Sequence, residues 1–169
     1  NDGLDFSGMS DDENYFALSK TVNTNDSDLF IYNSKTKEKI QINENQSANS
    51  SQDFSKDNSI FYYTTDYGGE FSVLMSYNME TKENIKVLEK KWDISSAYFT
   101  KKNKYMVVFV NEDGKNAIEV LDSESMKPID LPNFEGKSIT SVGFSNDQKL
   151  MRMYVGGSNA PSDLYTYNF

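Results

Sequence analysis

Four apolar stretches recur along the chain, and each follows the same short polar phrase. The phrase places an aromatic residue or Met before a Ser or Thr, and a charged residue two positions after it. The Ser or Thr residues are 45 positions apart, at Ser10, Ser55, Thr100 and Ser145. The apolar stretches begin five positions later, at Tyr15, Ile60, Tyr105 and Leu150. A fixed period of roughly 20 to 50 residues indicates a repeat architecture in which every unit folds the same way.

A second motif recurs later in each unit, where an apolar strand runs into Asn or Asp and a polar turn follows. The Asn or Asp residues at this pivot are Asn33, Asn78, Asp122 and Asn168. A short side-chain oxygen at such a position accepts backbone N–H groups within the turn. A shorter, more polar strand then resumes, although the fourth unit stops at "LYTYNF" before it. Each complete unit is therefore predicted to contain four short strands.

The apolar stretch of each unit has no polar alternation, which predicts a strand covered on both faces. Four strands per unit of 45 residues predict an all-β fold, a β-propeller segment of about four four-stranded antiparallel blades. A β-sandwich is the main alternative, but its strands have no reason to repeat in groups of four. No sustained 3.6-residue pattern supports helical repeats. The predicted domain covers 1–169, with blades at about 4–46, 49–91, 94–134 and 138–169, the last incomplete.

The composition limits the chemistry that this chain supports. A formal charge of −9 repels phosphate groups, which argues against nucleic acid and anionic membrane as partners. The absence of His and Cys removes the usual general base of a Ser or Cys nucleophile and the commonest ligands of zinc. The acidic loops 23–30 and 111–116 lack the order of oxygen ligands that is typical of a calcium loop. We therefore predict no catalytic, metal-binding or cofactor-binding residue.

Two phrases carry a resemblance to known propellers. Residues 54–62 read FSKDNSIFY, and residues 28–38 read DLFIYNSKTKE. They resemble the blade repeat of TolB-like propellers and of the N-terminal propeller of the prolyl oligopeptidase family. The usual sequences of that repeat are close to SPDGKxIAF and IYVxDxxTGE. This chain lacks the Pro and Gly of the first phrase and carries Asn or Asp near that turn. The resemblance covers nearly the whole chain and is specific for architecture rather than for function.

The resemblance to the prolyl oligopeptidase family implies a non-catalytic propeller that gates or positions peptide substrates. The nucleophile would belong to an α/β-hydrolase domain of the same parent chain, because no Ser here matches a nucleophile elbow. The implied partners are that hydrolase domain and peptides. The resemblance to TolB-like propellers implies instead a protein-binding propeller with no associated peptidase. A third hypothesis, an enzyme that uses carboxylates alone, needs two paired acids on neighbouring blades, and the sequence singles out no such pair.

Two residues are candidate contacts for a ligand or partner. Arg152 is the only arginine of the sequence, and it occupies a strand position where the other units have Ala17, Tyr62 and Val107. Its guanidinium could hold a carboxylate of a ligand, form an internal ion pair, or be exposed because no blade covers it. Trp92 lies in the predicted connection between the second and third blades, where it could stack on a ligand, anchor a partner domain or pack on the adjacent blade.

The strand count predicts an open arc of a larger propeller. Uncovered blade faces and unpaired strand edges favour association, so we predict self-association through the blade faces. A monomeric solution mass that does not change with concentration would contradict this. The sequence has no apolar run near the roughly 20 residues that cross a bilayer. No targeting segment decides the compartment, and we favour an extracytoplasmic location, periplasmic or secreted, with the cytoplasm as the alternative.

Overall fold

The computed structural model describes residues 3–43, 45–157 and 159–169. In these residues it contains fourteen β-strands in four antiparallel sheets, and no helix. It follows that no helix in the described part of the chain is long and apolar enough to cross a membrane. The chain divides into two compact units, Asn1–Ala97 and Tyr98–Phe169. The prediction of an all-β chain is confirmed.

The first unit holds two four-stranded sheets, in which strands that follow each other in sequence are also hydrogen-bonded neighbours. Each sheet is therefore a meander with its first and last strands at the edges. The first sheet consists of β1 (Asp5–Met9), β2 (Tyr15–Asn23), β3 (Asp26–Asn33) and β4 (Lys39–Gln41). The second sheet consists of β5 (Asn49–Phe54), β6 (Ile60–Thr65), β7 (Val73–Asn78) and β8 (Asn84–Leu88).

The other two sheets have three strands each and the same sequential order. The third sheet consists of β9 (Asp93–Phe99), which crosses the boundary between the units, β10 (Tyr105–Glu112) and β11 (Lys115–Asp122). The fourth sheet consists of β12 (Ser138–Phe144), β13 (Leu150–Gly157) and β14 (Ala160–Asn168). The prediction that the fourth repeat has three strands is therefore confirmed.

The sequence predicts a fourth strand in the third repeat, and this prediction is wrong. The segment after β11 forms an isolated bridge between Leu121 and Pro128 instead of a strand. Pro128 has no N–H to donate, so a regular ladder cannot form there. The segment still follows β11, because Ile129 N–H donates to the carbonyl oxygen of Val120 at 2.7 Å. The segment after β11 therefore lies where a fourth strand would lie, but it does not form the regular hydrogen-bond ladder of a strand.

The repeated Ser or Thr closes the turn between the first two strands of each repeat. Its hydroxyl oxygen accepts the backbone N–H of the residue five positions later, at 3.0–3.1 Å in all four repeats. In three repeats the hydroxyl also donates to the carboxylate two positions later, on Asp12, Asp57 or Asp147. The residue that follows Asp12, Asp57, Lys102 or Asp147 has a left-handed backbone, with φ between 53° and 60°. The phrase therefore recurs because it encodes one turn.

The third repeat closes this turn differently, because Lys102 replaces the Asp. Thr100 Oγ1 donates to Gln148 Oε1 at 3.1 Å, and Gln148 belongs to the same turn of the fourth repeat. Gln148 is fully buried, and its Nε2 has no hydrogen-bond partner among the described residues. The amide from the next sheet thus replaces the missing carboxylate, and it leaves one buried donor unpaired, which costs about 1–3 kcal/mol.

Removing the Ser55 hydroxyl should change the titration of Asp57. The hydrogen bond from Ser55 lowers the pKa of Asp57 below the ordinary value of 3.8, with further contributions from Ser59. A lowered pKa stabilises the fold above the ordinary pKa, and this contribution is lost as the pH falls through the folded pKa. We therefore expect Ser55→Ala to raise the pKa of Asp57 and to reduce stability more at neutral pH than in acid. Carboxyl-carbon NMR titration measures the pKa, with Asp147 as the internal control, and an unchanged Asp57 pKa would contradict this.

The Asn or Asp at the pivot closes the turn that follows the third strand. Asn33 Oδ1 accepts the backbone N–H groups of Lys35 and Thr36 at 2.9 and 3.1 Å. Asn78 and Asp122 make equivalent side-chain bonds to the backbone in the next two repeats. These bonds satisfy amides that the turn leaves without a partner in the sheet. The second repeated motif is therefore also a turn signal.

Each unit has its own hydrophobic core, formed by side chains of the sheets in that unit. The buried core residues of the first unit are Ala17, Leu29, Ile31, Ile42, Phe54, Phe61, Tyr63, Tyr77 and Met79. Those of the second unit are Tyr105, Val107, Ile118, Val120, Val142, Met151, Met153 and Val155. Large rings and β-branched side chains fill both cores, as the strand-forming composition predicts.

The apolar second strands differ in burial. In β10 the four residues from Tyr105 onward are all buried, which agrees with the prediction of a strand covered on both faces. In β13 the prediction is wrong, because burial alternates along the strand. Met151 and Met153 are buried, whereas Leu150 and Arg152 are exposed. One face of the fourth sheet therefore packs into the core of the second unit, and the other face is exposed; self-association through such faces stays a prediction.

Candidate functional site

Trp92 lies between β8 and β9, in the connection where the sequence places it. Its ring packs on Phe71 with 5.5 Å between the ring centroids, and 38% of its surface remains exposed. The loop that carries Phe71 is joined to the start of β9, because Ser72 N–H donates to Asp93 Oδ1 at 2.8 Å. Trp92 therefore packs on a loop of the second repeat and still presents part of its surface to solvent. Its role as a partner contact stays a prediction.

Arg152 lies on the exposed face of β13, so the prediction of a strand covered on both faces is wrong here, and the alternative of an exposed Arg152 agrees with the structure. Its guanidinium lies over Gly143 of β12, so closely that a Cβ at Gly143 would be 2.7 Å from Arg152 Nε. Its Cζ is also 5.4 Å from the ring centroid of Tyr154. The planar guanidinium is thus packed against backbone and an aromatic ring. A role in holding a carboxylate stays a prediction.

A groove of about 610 Å³ lies between the two sheets of the first unit. One wall comes from β4 and the connection to β5, and the other from β6, β7 and the start of β8. The lining includes three Tyr and four Asn side chains, and its charged residues in the described part of the chain are Glu38 and Lys82. Neither Trp92 nor Arg152 lines it. The groove therefore combines apolar surface with neutral hydrogen-bonding groups, which is typical of a binding site.

The two walls of the groove are joined by a chain of hydrogen bonds. Tyr63 O–H donates to Asn84 Oδ1 at 2.9 Å, and Asn84 Nδ2 donates to the carbonyl oxygen of Ile42 at 3.2 Å. Burial raises the pKa of Tyr63 to about 12, so its hydroxyl stays protonated and remains a donor at neutral pH. The chain of bonds connects the second sheet to the end of the first and fixes the separation of the walls.

Asn49 lines the groove at the start of β5 and is 8% exposed. Its Nδ2 donates to the carbonyl oxygens of Ser27 and Ser47, at 2.7 and 2.9 Å, and lies 2.9 Å from the Ser47 hydroxyl. Its Oδ1 has no hydrogen-bond partner among the described residues. Three oxygens around one nitrogen fix the orientation of the amide, because the reverse orientation would bring oxygen against oxygen.

A second cavity, of about 460 Å³, also has Asn49 in its lining. Of the residues that the structure describes, Asp26 supplies the one carboxyl group of this cavity, and its Oδ1 accepts the Ser47 N–H at 3.3 Å. The other lining groups are mostly hydroxyls, on Ser7, Ser19, Thr21, Thr24, Ser27, Ser50 and Ser51. The described lining of this cavity therefore offers mainly neutral hydrogen-bonding groups, and it contains no pair of acids.

The groups in and around the groove favour recognition rather than reaction. Within 3–43, 45–157 and 159–169, no group of three or more His, Cys, Asp or Glu side chains is placed to hold a metal ion. Among the described residues, the groove lining contains one carboxyl, on Glu38, whereas hydrolysis by carboxylates alone needs two facing acids. Hydrogen bonds from amides and hydroxyls, together with apolar contact, are what this lining supplies.

The sequence matches no protein-family model and no curated protein. In structure, the chain is similar to TolB from Acinetobacter baumannii, with a TM-score of 0.69 and 14% identity over 98% of this chain and 41% of that one. It is similar to a putative TolB from Agrobacterium tumefaciens, with a TM-score of 0.67 and 11% identity over 98% of this chain and 62% of that one. It is also similar to a prolyl endopeptidase, with a TM-score of 0.68 and 13% identity over 96% of this chain and 26% of that one.

The fold is a β-propeller segment. The predicted resemblance to TolB-like and prolyl oligopeptidase propellers is confirmed at the level of structure. Identities of 11–14% establish the fold and leave function open. The chain spans less than two thirds of each of these relatives, since it covers 41%, 62% and 26% of their lengths.

The residues that form the groove were not singled out by the sequence. Asn49 belongs to a run in which Asn or Ser occupies every second position from Asn43 to Ser51, and this alternation is the signal that could have found it. The run has the composition of a polar linker, which hides its role. Tyr63 belongs to an apolar strand and is expected in the core, so nothing in the sequence connects it to Asn84.

Proposed function

We propose that this chain is a non-catalytic propeller segment that binds polypeptide segments and positions them. The observation that carries the proposal is the groove of the first unit, which sets amides and hydroxyls beside apolar side chains and has one carboxyl among its described residues. A polypeptide offers main-chain donors and acceptors together with apolar side chains, so it needs both kinds of contact. The absence of His and Cys from the sequence supports binding rather than catalysis.

For the parent protein, we propose a serine peptidase of the prolyl oligopeptidase family. The likeness to a prolyl endopeptidase supports this proposal. In such a parent, the propeller would gate or position peptides for an α/β-hydrolase domain of the same chain, and the chemistry would occur in that domain. The likeness to two TolB structures favours a second candidate, a protein-binding propeller with no associated peptidase.

The binding role is tested on the 169-residue chain with a mixed panel of fluorescent, acetylated and amidated octapeptides. We expect saturable binding, measured by fluorescence anisotropy, and no cleavage of any peptide by mass spectrometry. Turnover would contradict a non-catalytic role and revive the hypothesis of an enzyme that uses carboxylates alone. Absence of saturable binding across the panel would contradict the polypeptide-binding role.

The two candidate parents differ in one measurable property. The complete gene product of a serine peptidase reacts with a fluorophosphonate probe through its catalytic serine. Labelling of the complete product, with no labelling of the 169-residue chain, would support the peptidase parent. If the complete product is folded and the probe does not label it, the TolB-like alternative is favoured.

A further inference from the structure

The lining of the groove limits the class of ligand, and the inference here rests on the proposed polypeptide-binding function. Tyr63 and Tyr77 are buried, so among the three tyrosines of the lining only Tyr67, at 58% exposure, has a largely free ring. A sugar ligand stacks on exposed aromatic rings, and among these tyrosines one ring is exposed enough for stacking. The side chains of Ile40 and Met75 are partly exposed and offer aliphatic surface instead. Aliphatic surface of this kind suits the apolar side chains of a peptide.

The second wall has the spacing of an extended chain. Met75 and Tyr77 are two residues apart on β7, and Tyr63 and Thr65 are two residues apart on β6. Side chains two positions apart in a strand lie on the same face, roughly 6.5 to 7 Å from each other. A peptide in extended conformation has the same repeat, so every second side chain can lie along this wall, on which Met75 is partly exposed and Tyr63, Thr65 and Tyr77 are buried. The other side chains of the peptide then point toward solvent.

Charge distinguishes one end of the groove. Glu38 and Lys82 both line the groove, and both come from the pivot turns at the same end of the two sheets. The pKa of Tyr77 is raised, mainly by burial and further by the Glu38 carboxylate, so this carboxylate acts on the interior of the groove. The chain as a whole carries a formal charge of −9, which attracts cations. Lys82 at the same end could pair with an acidic group, but the net charge of −9 favours a basic side chain next to Glu38.

We infer that the groove binds an extended polypeptide segment in which apolar and polar side chains alternate, with a Lys or Arg at the Glu38 end. The apolar side chains contact Met75 and Ile40, the main chain meets the exposed Asn45 side chain, and the basic group pairs with Glu38. Specificity would then come from the pattern and the charge of the segment rather than from one fixed sequence.

The test uses the acetylated, amidated octapeptide Ser-Val-Ser-Ile-Thr-Val-Ser-Lys, in which Lys and the apolar residues lie on the same face, and the ¹⁵N-labelled 169-residue chain. NMR titration gives the dissociation constant and maps the contacts. We expect shifts of the Tyr63, Met75 and Tyr77 amides. We expect weaker binding of a peptide with Glu in place of Lys, and of a peptide of the same composition with its apolar residues clustered. Tyr67→Ala, at the exposed ring, should also weaken binding.

Glu38→Gln is the decisive variant, and Glu83→Gln is its matched control. Both residues follow the pivot by five positions, but only Glu38 lines the groove. Glu38→Gln should raise the dissociation constant of the Lys peptide about two- to fivefold, as expected for the loss of a partly exposed ion pair. It should not raise the dissociation constant of the Glu peptide. Glu83→Gln should change neither. Equal effects of the two variants would overturn the inference.

The remaining outcomes separate this inference from the proposed function. If the octapeptide binds but shifts amides outside the groove, the inference fails and polypeptide binding stands. If the octapeptide and the mixed panel both fail to bind, both fail. If maltohexaose binds in the groove while the peptides do not, the ligand class is wrong. Chemical-shift changes of groove amides that appear on titration with the alternating Lys peptide, and that are smaller in Glu38→Gln, support the inference.

Discussion

Replacing Asn49 with Asp is expected to lower the free energy of unfolding of the first unit by about 3–5 kcal/mol. The carboxylate would place an oxygen where Nδ2 now donates to the carbonyl oxygens of Ser27 and Ser47. Because Asn49 is 8% exposed, little water is available to relieve this repulsion. Urea unfolding followed by the fluorescence of Trp92, the single tryptophan of the sequence, measures the change.

The matched control for this variant is Asn45→Asp. Asn45 also lines the groove but is exposed, so the same change should alter the free energy of unfolding by at most about 0.5 kcal/mol. Burial raises the pKa of a carboxyl, so the defect of Asn49→Asp should diminish as the pH falls toward the ordinary Asp pKa of about 4, where the introduced group becomes neutral. Equal stability of the two variants at neutral pH would show that the Asn49 amide does not orient the groove.

The turns could be predicted from the sequence because their causes are local. Ser55 and Asp57 are two residues apart, and the hydrogen bond between them forms inside one turn. The bond from the hydroxyl to the carboxylate recurs in three repeats, and the bond from the amide to the hydroxyl recurs in all four. The period of 45 residues therefore indicates both the turn and the number of repeats. The replacement of Asp by Lys102 is also visible in the sequence. However, Gln148, which replaces the missing carboxylate as the hydrogen-bond partner, is 46 residues further along the chain. Only the structure shows that Gln148 reaches Thr100.

The groove could not be predicted in the same way, because its contacts join positions that do not repeat. Asn84 is 42 residues from Ile42, and Asn49 is 22 residues from Ser27. Each of these bonds depends on how two sheets pack, which the pattern of a single repeat does not encode. The repeated residues thus define the architecture, and the residues that vary between repeats define the site. This division explains why the sequence predicts the fold more completely than the function.

The burial of β13 is an intermediate case. Its apolar run, "LMRMY", conceals an alternation, because Leu150 and Tyr154 are apolar residues on the exposed face. Arg152 is the one polar residue on that face, and it is the signal that the strand is covered on one side only. Its guanidinium packs over Gly143, so the residue that was a candidate ligand contact also marks the orientation of the fourth sheet.

Neighbouring truncations on β13 test this orientation. We expect Met151→Ala to lower the free energy of unfolding of the second unit by about 2–5 kcal/mol, and Leu150→Ala by less than about 1 kcal/mol. Met151 is 0% exposed and packs in the core of the second unit, whereas Leu150 is 39% exposed. Native-state hydrogen exchange of the β13 amides measures both values in the same element. Similar losses for the two variants would mean that both faces of β13 are covered, as the apolar run alone predicts, and Arg152 would then need a buried partner of opposite charge.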